Sequence, residues 1–119
     1  MADFSKISMQ AAAVATGDGT PMDIRNSKSV SIQLVDVGTP VGTVTFEGSI
    51  DKNDDPANDT WNAVAMRAST QTASATLVTT TTAAGLFFLP DDSNLAQIRA
   101  RITTFTSGAF TINGARRSI

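Results

Sequence analysis

The sequence predicts an all-β chain folded as an antiparallel β-sandwich or jelly-roll of about eight strands, on three observations. Apolar and polar residues alternate with a period of two through most of the chain. Turn-forming Gly, Pro, Asn and Asp separate the alternating runs. Thr and Ser take the place of the Lys and Glu that surface helices use, and Thr, being β-branched, suits a pleated, half-solvated surface.

The clearest run is Gly42 to Asp51, where Val44, Phe46, Gly48 and Ile50 share one face and Thr43, Thr45, Glu47 and Ser49 the other. Lys28 to Asp36 repeats the pattern with Val30, Ile32 and Leu34, and Val37-Gly38-Thr39-Pro40 between the two runs predicts a hairpin connection. Leu95 to Phe105 sets Ala96, Ile98, Ala100 and Ile102 against Gln97, Arg99, Arg101 and Thr103. Thr106-Ser107-Gly108 then leads into Ala109 to Arg117, where Phe110 and Ile112 share a face, which predicts a second hairpin. Shorter strands are expected at Thr60 to Met66, Ala75 to Thr81 and Gly85 to Leu89. Ile7 to Ala15 reads as a strand too, although its alanines would also suit a helix. Lys52 to Asp59 is the longest irregular connection, and Gly17-Asp18-Gly19 reads as a turn.

A chain of 119 residues fits a single domain, 1–119, since a chain of this size buries about two-thirds of its extended surface. Met1 to Lys6 has no packing pattern of its own and is expected to be a flexible arm. Hydrophobic residues make up 41% and charged residues 17%, which excludes a disordered polyelectrolyte. The net charge of −2 gives no electrostatic reason to bind nucleic acid. No apolar run reaches the length needed to cross a membrane, and the first residues lack a basic segment followed by an apolar one, so no secretory signal is expected.

Histidine, cysteine and tyrosine are all absent, which removes Ser-His and Cys-His nucleophilic arrangements and thiolate metal sites. Glu47 is the single glutamate and falls on an outward strand position, while the aspartates gather in turns, so no carboxylate pair for glycoside hydrolysis stands out. The expectation is a protein that is not an enzyme, with no catalytic residues and no cofactor. Asp51, Asn53, Asp55 and Asp59 place oxygen ligands at alternating positions, as a calcium loop would. Pro56 stands where such a loop needs glycine and no glutamate closes it, so a solvated loop is the competing reading. Trp61 can cap the core or offer a stacking platform for a glycan. Phe87 and Phe88 are adjacent in a strand and must face opposite sides, which leaves one ring for a partner or a covering loop. Arg99 and Arg101, with Arg116 and Arg117 on the neighbouring strand, would make a four-arginine face that grips an acidic partner or pairs internally with Glu47 and nearby Asp.

The series Gly42-Thr43-Val44-Thr45-Phe46-Glu47-Gly48-Ser49-Ile50-Asp51, Trp61-Asn62-Ala63-Val64, Ala84-Gly85-Leu86-Phe87, Leu95-Ala96-Gln97-Ile98-Arg99-Ala100-Arg101 and Ser107-Gly108-Ala109-Phe110-Thr111-Ile112 resembles small β-sandwich structural proteins of tailed bacteriophages. That group includes capsid decoration proteins and tail or fibre modules. The chain departs from its commonest form by a longer, more acidic insertion at Lys52 to Asp59. The resemblance implies a virion protein, made in the host cytoplasm, that binds the major capsid protein or another virion protein in many copies. It also implies a homo-oligomer, with a trimer at a lattice symmetry point as one form, and it brings no catalytic residue. The alternative it carries is a carbohydrate-binding or host-adhesion module of a tail or fibre.

Overall fold

The computed structural model describes residues 4–53, 55–69, 77–90 and 94–118. Among these, eleven strands form two antiparallel sheets packed face to face as a sandwich, in keeping with the predicted class. In chain order the strands are β1 (Phe4–Ala13), β2 (Met22–Asp23), β3 (Ser27–Val35), β4 (Val41–Ser49), β5 (Asn62–Ala63), β6 (Met66–Ala68), β7 (Leu77–Val78), β8 (Thr80–Thr81), β9 (Gly85–Phe88), β10 (Gln97–Ser107) and β11 (Phe110–Ser118). The six-stranded sheet runs β1-β11-β3-β9-β6-β7. The five-stranded sheet runs β2-β10-β4-β5, with β8 also pairing β4.

Alternation makes these strands, and it also makes the core. Val30, Ile32 and Leu34 on β3, Phe87 on β9, Met66 on β6 and Phe110 and Ile112 on β11 face Val44 and Phe46 on β4 and Ile98, Ala100 and Ile102 on β10. Eight of these side chains, Ile32, Val44, Phe46, Met66, Ile98, Ala100, Ile102 and Ile112, are completely removed from solvent. The Phe46 and Phe87 rings meet across the core at 4.9 Å between centroids, tilted by 50°. A tilted pair of this kind adds about 0.5–1.5 kcal/mol to the area it buries. Gln10 fastens one side of the sandwich, its amide donating to the carbonyls of Ala100 at 3.1 Å and Gly17 at 3.2 Å.

The two hairpins expected from the sequence do not form as paired strands. β3 and β4 lie in opposite sheets, and so do β10 and β11. β4 pairs instead with β10 from Gln97↔Ser49 to Ser107↔Val41, and β11 lies between β1 and β3. The reason is that a period of two fixes which face of a strand is buried and leaves open which strand lies beside it. Stacked sheets are about 10 Å apart, so a short loop can cross the core as readily as it reverses within a sheet. Gly38 (φ 77°) and Thr39 (φ 47°) carry the first crossing in left-handed backbone conformations, and Gly108 (φ 78°) carries the second. The two crossings stack, because a Cβ on Gly108 would run into the carbonyl oxygens of Gly38 and Thr39.

Three further expectations change. Ile50, expected on the inward face, is 76% exposed, because β4 ends at Ser49 and the Asp51 N–H donates to Ser49 Oγ at 3.0 Å, turning the chain away. The expected strand Thr60 to Met66 divides between β5 on the five-stranded sheet and β6 on the six-stranded one. The arm expected through Lys6 is already strand from Phe4, paired as Phe4↔Arg117, Ser5↔Arg116 and Lys6↔Ala115; residues 1–3 lie outside the described residues. Part of the expected strand at Ala75 to Thr81 also falls outside them, and the rest forms β7 and β8.

Gly108→Ala tests the stacked crossings. The left-handed backbone alone costs about 1–2 kcal/mol for a residue with a side chain, and the collision with two backbone carbonyls adds to it. Urea unfolding of the variant should show at least that loss; an unchanged midpoint would mean the crossings are not packed as described.

Candidate functional site

The register of β4 against β10 places Glu47 directly opposite Arg99 on the outer face of the five-stranded sheet. Directly opposed side chains of opposite charge attract, and here they meet: Arg99 Nε donates to Glu47 Oε1 at 2.9 Å and Nη2 approaches the same oxygen at 2.8 Å. Arg101 reaches Glu47 Oε2 at 3.6 Å, and Asp18 from the turn after β1 lies 3.3 Å from Arg101 and 3.7 Å from Arg99. The Trp61 ring closes over Arg99, with the guanidinium carbon 4.0 Å from the ring centroid. Arg99 and Glu47 are therefore buried, at 7% and 9% exposure, although they sit on the outward phase of their strands. Trp61 caps this ion-pair cluster on the outside of the sheet, and one face of its ring is taken by arginine.

The connection from Asp51 to Thr60 folds back over the same sheet. Asp59 is buried and accepts hydrogen bonds from Asn53 N at 2.9 Å, Asn53 Nδ2 at 2.6 Å and Gln97 Nε2. Burial alone would raise its carboxyl pKa. The donors from Asn53 and Gln97, with the charge of Lys52, outweigh burial and hold it below the ordinary carboxylate value of 3.8. Asp51 Oδ2 accepts from Thr60 N at 2.8 Å, and Asp55 Oδ1 from Ala57 N at 3.0 Å. Of the four residues singled out as calcium ligands, Asp51, Asp55 and Asp59 thus accept from N–H groups of their own loop and from Gln97, and Asn53 serves as a donor. Among the described residues no group of three or more acidic side chains is gathered as a metal would require.

Phe87 and Phe88 face opposite sides, as their adjacency demands. Phe87 is in the core, and Phe88 lies on the outer face of the six-stranded sheet beneath the Arg67 guanidinium, 5.0 Å from the ring centroid. The four-arginine face does not exist. Arg99 and Arg101 belong to the five-stranded sheet, Arg116 and Arg117 to the six-stranded sheet, and the core lies between them. Arg116 and Arg117 are themselves divided, since Arg116 follows the core-side phase opposite Val30 while Arg117 points outward beside Phe4 and Ser29. Sequence reasoning missed Phe4, Lys6 and Arg67 as neighbours of Phe88 and Arg117. The signal for the first two was present, since Phe4 and Lys6 fall on the polar phase of a strand whose other phase carries Ile7 and Met9.

No family model and no curated protein matches this chain by sequence. Its fold is similar to two solved structures. The SPBc2 prophage-derived protein YomS superposes with a TM-score of 0.79 at 14% identity, covering 99% of this chain and 96% of its own. The PBSX exported protein XepA superposes with a TM-score of 0.80 at 15% identity, covering 98% of this chain, which spans 38% of the XepA chain. At such identities the likeness establishes the fold.

Two outcomes test this geometry. Glu47→Gln leaves Arg99 with a neutral amide acceptor, the longer Asp18 contact and the Trp61 ring, with no close counter-charge, and should cost about 3 kcal/mol, toward the lower end for breaking a buried pair. Glu47→Leu combined with Arg99→Met should recover most of that loss, with urea unfolding followed by Trp61 fluorescence. Acid titration tests Asp59: a carboxyl with a depressed folded pKa contributes stability that is complete above its unfolded value of 3.8 and is lost as pH falls through the folded value. Asp59→Asn should therefore flatten the fall of melting temperature below about pH 4.

Proposed function

We propose that this chain is a structural protein of a tailed-phage particle, a head decoration protein that binds the major capsid protein in many copies and reinforces the shell. The observation that carries this reading is the superposition of almost the whole chain on YomS, prophage-derived by description, with XepA, described as a PBSX exported protein, sharing the same fold. The sequence resemblance noted above points the same way. Decoration works by adding many modest contacts across neighbouring subunits, so an exterior built for docking is what it requires.

The reading is of a protein without catalytic activity and without a cofactor, located on the virion and assembled as a homo-oligomer, a trimer where the lattice has threefold symmetry. It is supported by what the polar groups already do. Glu47, Asp18, Arg99 and Arg101 neutralise one another, and Asp51, Asp55 and Asp59 hold their own loop. The glycan-adhesion alternative rested on Trp61 as a stacking platform, and one face of that ring is already stacked by Arg99.

Purified particles test the proposal by copy number. A decoration protein should be present at a stoichiometry comparable with the major capsid protein, and electron microscopy should place it on the shell. Recovery of the protein only in free form, or in a handful of copies at the tail, would contradict the head assignment.

A further inference from the structure

The charges of this molecule are unevenly distributed between its two outer faces. On the five-stranded sheet the arginines are matched by Glu47 and Asp18, and Asp23 beside β10 holds Arg25 at 2.7 Å, with its pKa lowered to about 2 mainly by that hydrogen bond. The outer face of the six-stranded sheet has the opposite character. Its register lines up Lys6, Ala115, Ser31, Phe88 and Arg67 in one row across the strands, and Phe4, Arg117 and Ser29 in the next. Three cations stand on these rows, and among the described residues no carboxylate stands with them and no ion pair forms there. In a chain of net charge −2 this face is a local concentration of positive charge.

The face is also shaped. Ser29, Ser31 and Ala115 are small and line a depression of about 230 Å³ together with Phe4 and Phe88, and Arg116 and Arg117 border it. Phe4 is 64% exposed, a large apolar side chain left in water. An apolar centre with a polar, cationic rim is the anatomy of a protein-binding patch. Guanidinium groups recognise carboxylates through paired hydrogen bonds, and Arg67 is already oriented by its stacking on Phe88.

We infer that the outer face of the six-stranded sheet docks an extended acidic segment of a protein partner, seating one of its apolar side chains between Phe4 and Phe88 and its carboxylates on Arg67, Arg117 and Lys6. A second copy of this chain is a poorer occupant. Among its described acidic residues, Asp18, Asp23 and Glu47 face arginines and Asp51, Asp55 and Asp59 accept hydrogen bonds within their loop, which leaves Asp36. Nucleic acid needs many phosphate contacts from a basic surface, and an anionic membrane is recognised by clusters of about 4–8 basic residues on a protruding surface. Arg116 and Arg117 at a depression, with Lys6 and Arg67 spread along one row of the sheet, fit neither. That the partner is a virion protein rests on the function proposed above; the chemistry of the face does not.

The test is fluorescence anisotropy with a labelled, glutamate-rich peptide carrying one central phenylalanine, its lysine-rich counterpart, and vesicles of phosphatidylglycerol. Saturable binding of the acidic peptide is expected, with none of the lysine peptide and with loss of affinity in high salt. Arg67→Glu and Arg117→Glu should each weaken it by about tenfold or more, since a charge-assisted pair lost and reversed exceeds 1.4 kcal/mol. Phe4→Ala should weaken it without changing the salt dependence, and Lys52→Glu on the opposite side should leave it as it was. Circular dichroism of each variant confirms that the sandwich is intact. Absence of saturable peptide binding, equal affinity in the folded arginine variants, or capture by the vesicles alone would overturn the inference. A chain that decorates particles yet ignores the peptide would overturn this surface and leave the virion reading standing.

Discussion

Phe46 and Phe87 touch across the middle of the sandwich, and that contact between side chains from different sheets stands for a constraint on the whole molecule. Each sheet is apolar on its inner face only, and neither face can leave water except against the other. The chain reinforces the dependence by crossing between sheets at most of its connections, so β3 precedes β4 and β10 precedes β11 without pairing to it. A sheet assembled this way takes neighbours that are distant in sequence, and loop closure must precede the contacts that compensate for it. The stacked crossings at Gly38-Thr39 and Gly108 are the place where two of these short connections, far apart in sequence, support each other.

With the interior closed, the two exteriors take different roles. One end of the outer face of the five-stranded sheet is covered by its own chain: the connection after β4 lies over Gln97 and Ser49, and Trp61 lies over the Arg99 and Glu47 pair. Removing those charges from water is offset by placing them directly opposite each other in register, with Asp18 as an additional partner. The outer face of the six-stranded sheet has no such cover among the described residues. Small side chains on β3 and β11 leave it concave, and Phe4, Phe88 and Arg67 project from it. The groups that hold the fold and the groups left in water therefore sit on opposite outer faces.

Much of the fold was legible because alternation is a strong signal. The inward residues of β3, β10 and β11 and the opposition of Phe87 and Phe88 could all be read from the chain. Strand neighbours could not be read, because Val30-Ile32-Leu34 and Val44-Phe46 would look the same whether paired in one sheet or facing each other across the core. Ile50 kept the phase of β4, and only the Ser49 Oγ bond to Asp51 N shows where the strand stops. The arginines show the same limit at the level of the site. Arg99, Arg101, Arg116 and Arg117 lie close in sequence, and the strand crossing at Gly108 puts the core between them. The pairing of Arg99 with Glu47 was foreseeable as chemistry, while the Trp61 cover depended on a loop path with no local sequence signature.

Native-state hydrogen exchange tests most directly whether one core holds both sheets. If neither sheet can stand alone, the slowest amides of β4 and β10 and those of β3 and β11 should exchange through the same global opening, with one free energy and one dependence on denaturant. Protection that collapses in one of these pairs at a markedly lower free energy, while the other stays closed, would show that the sheets are separable and that the interlocked core does not govern the fold.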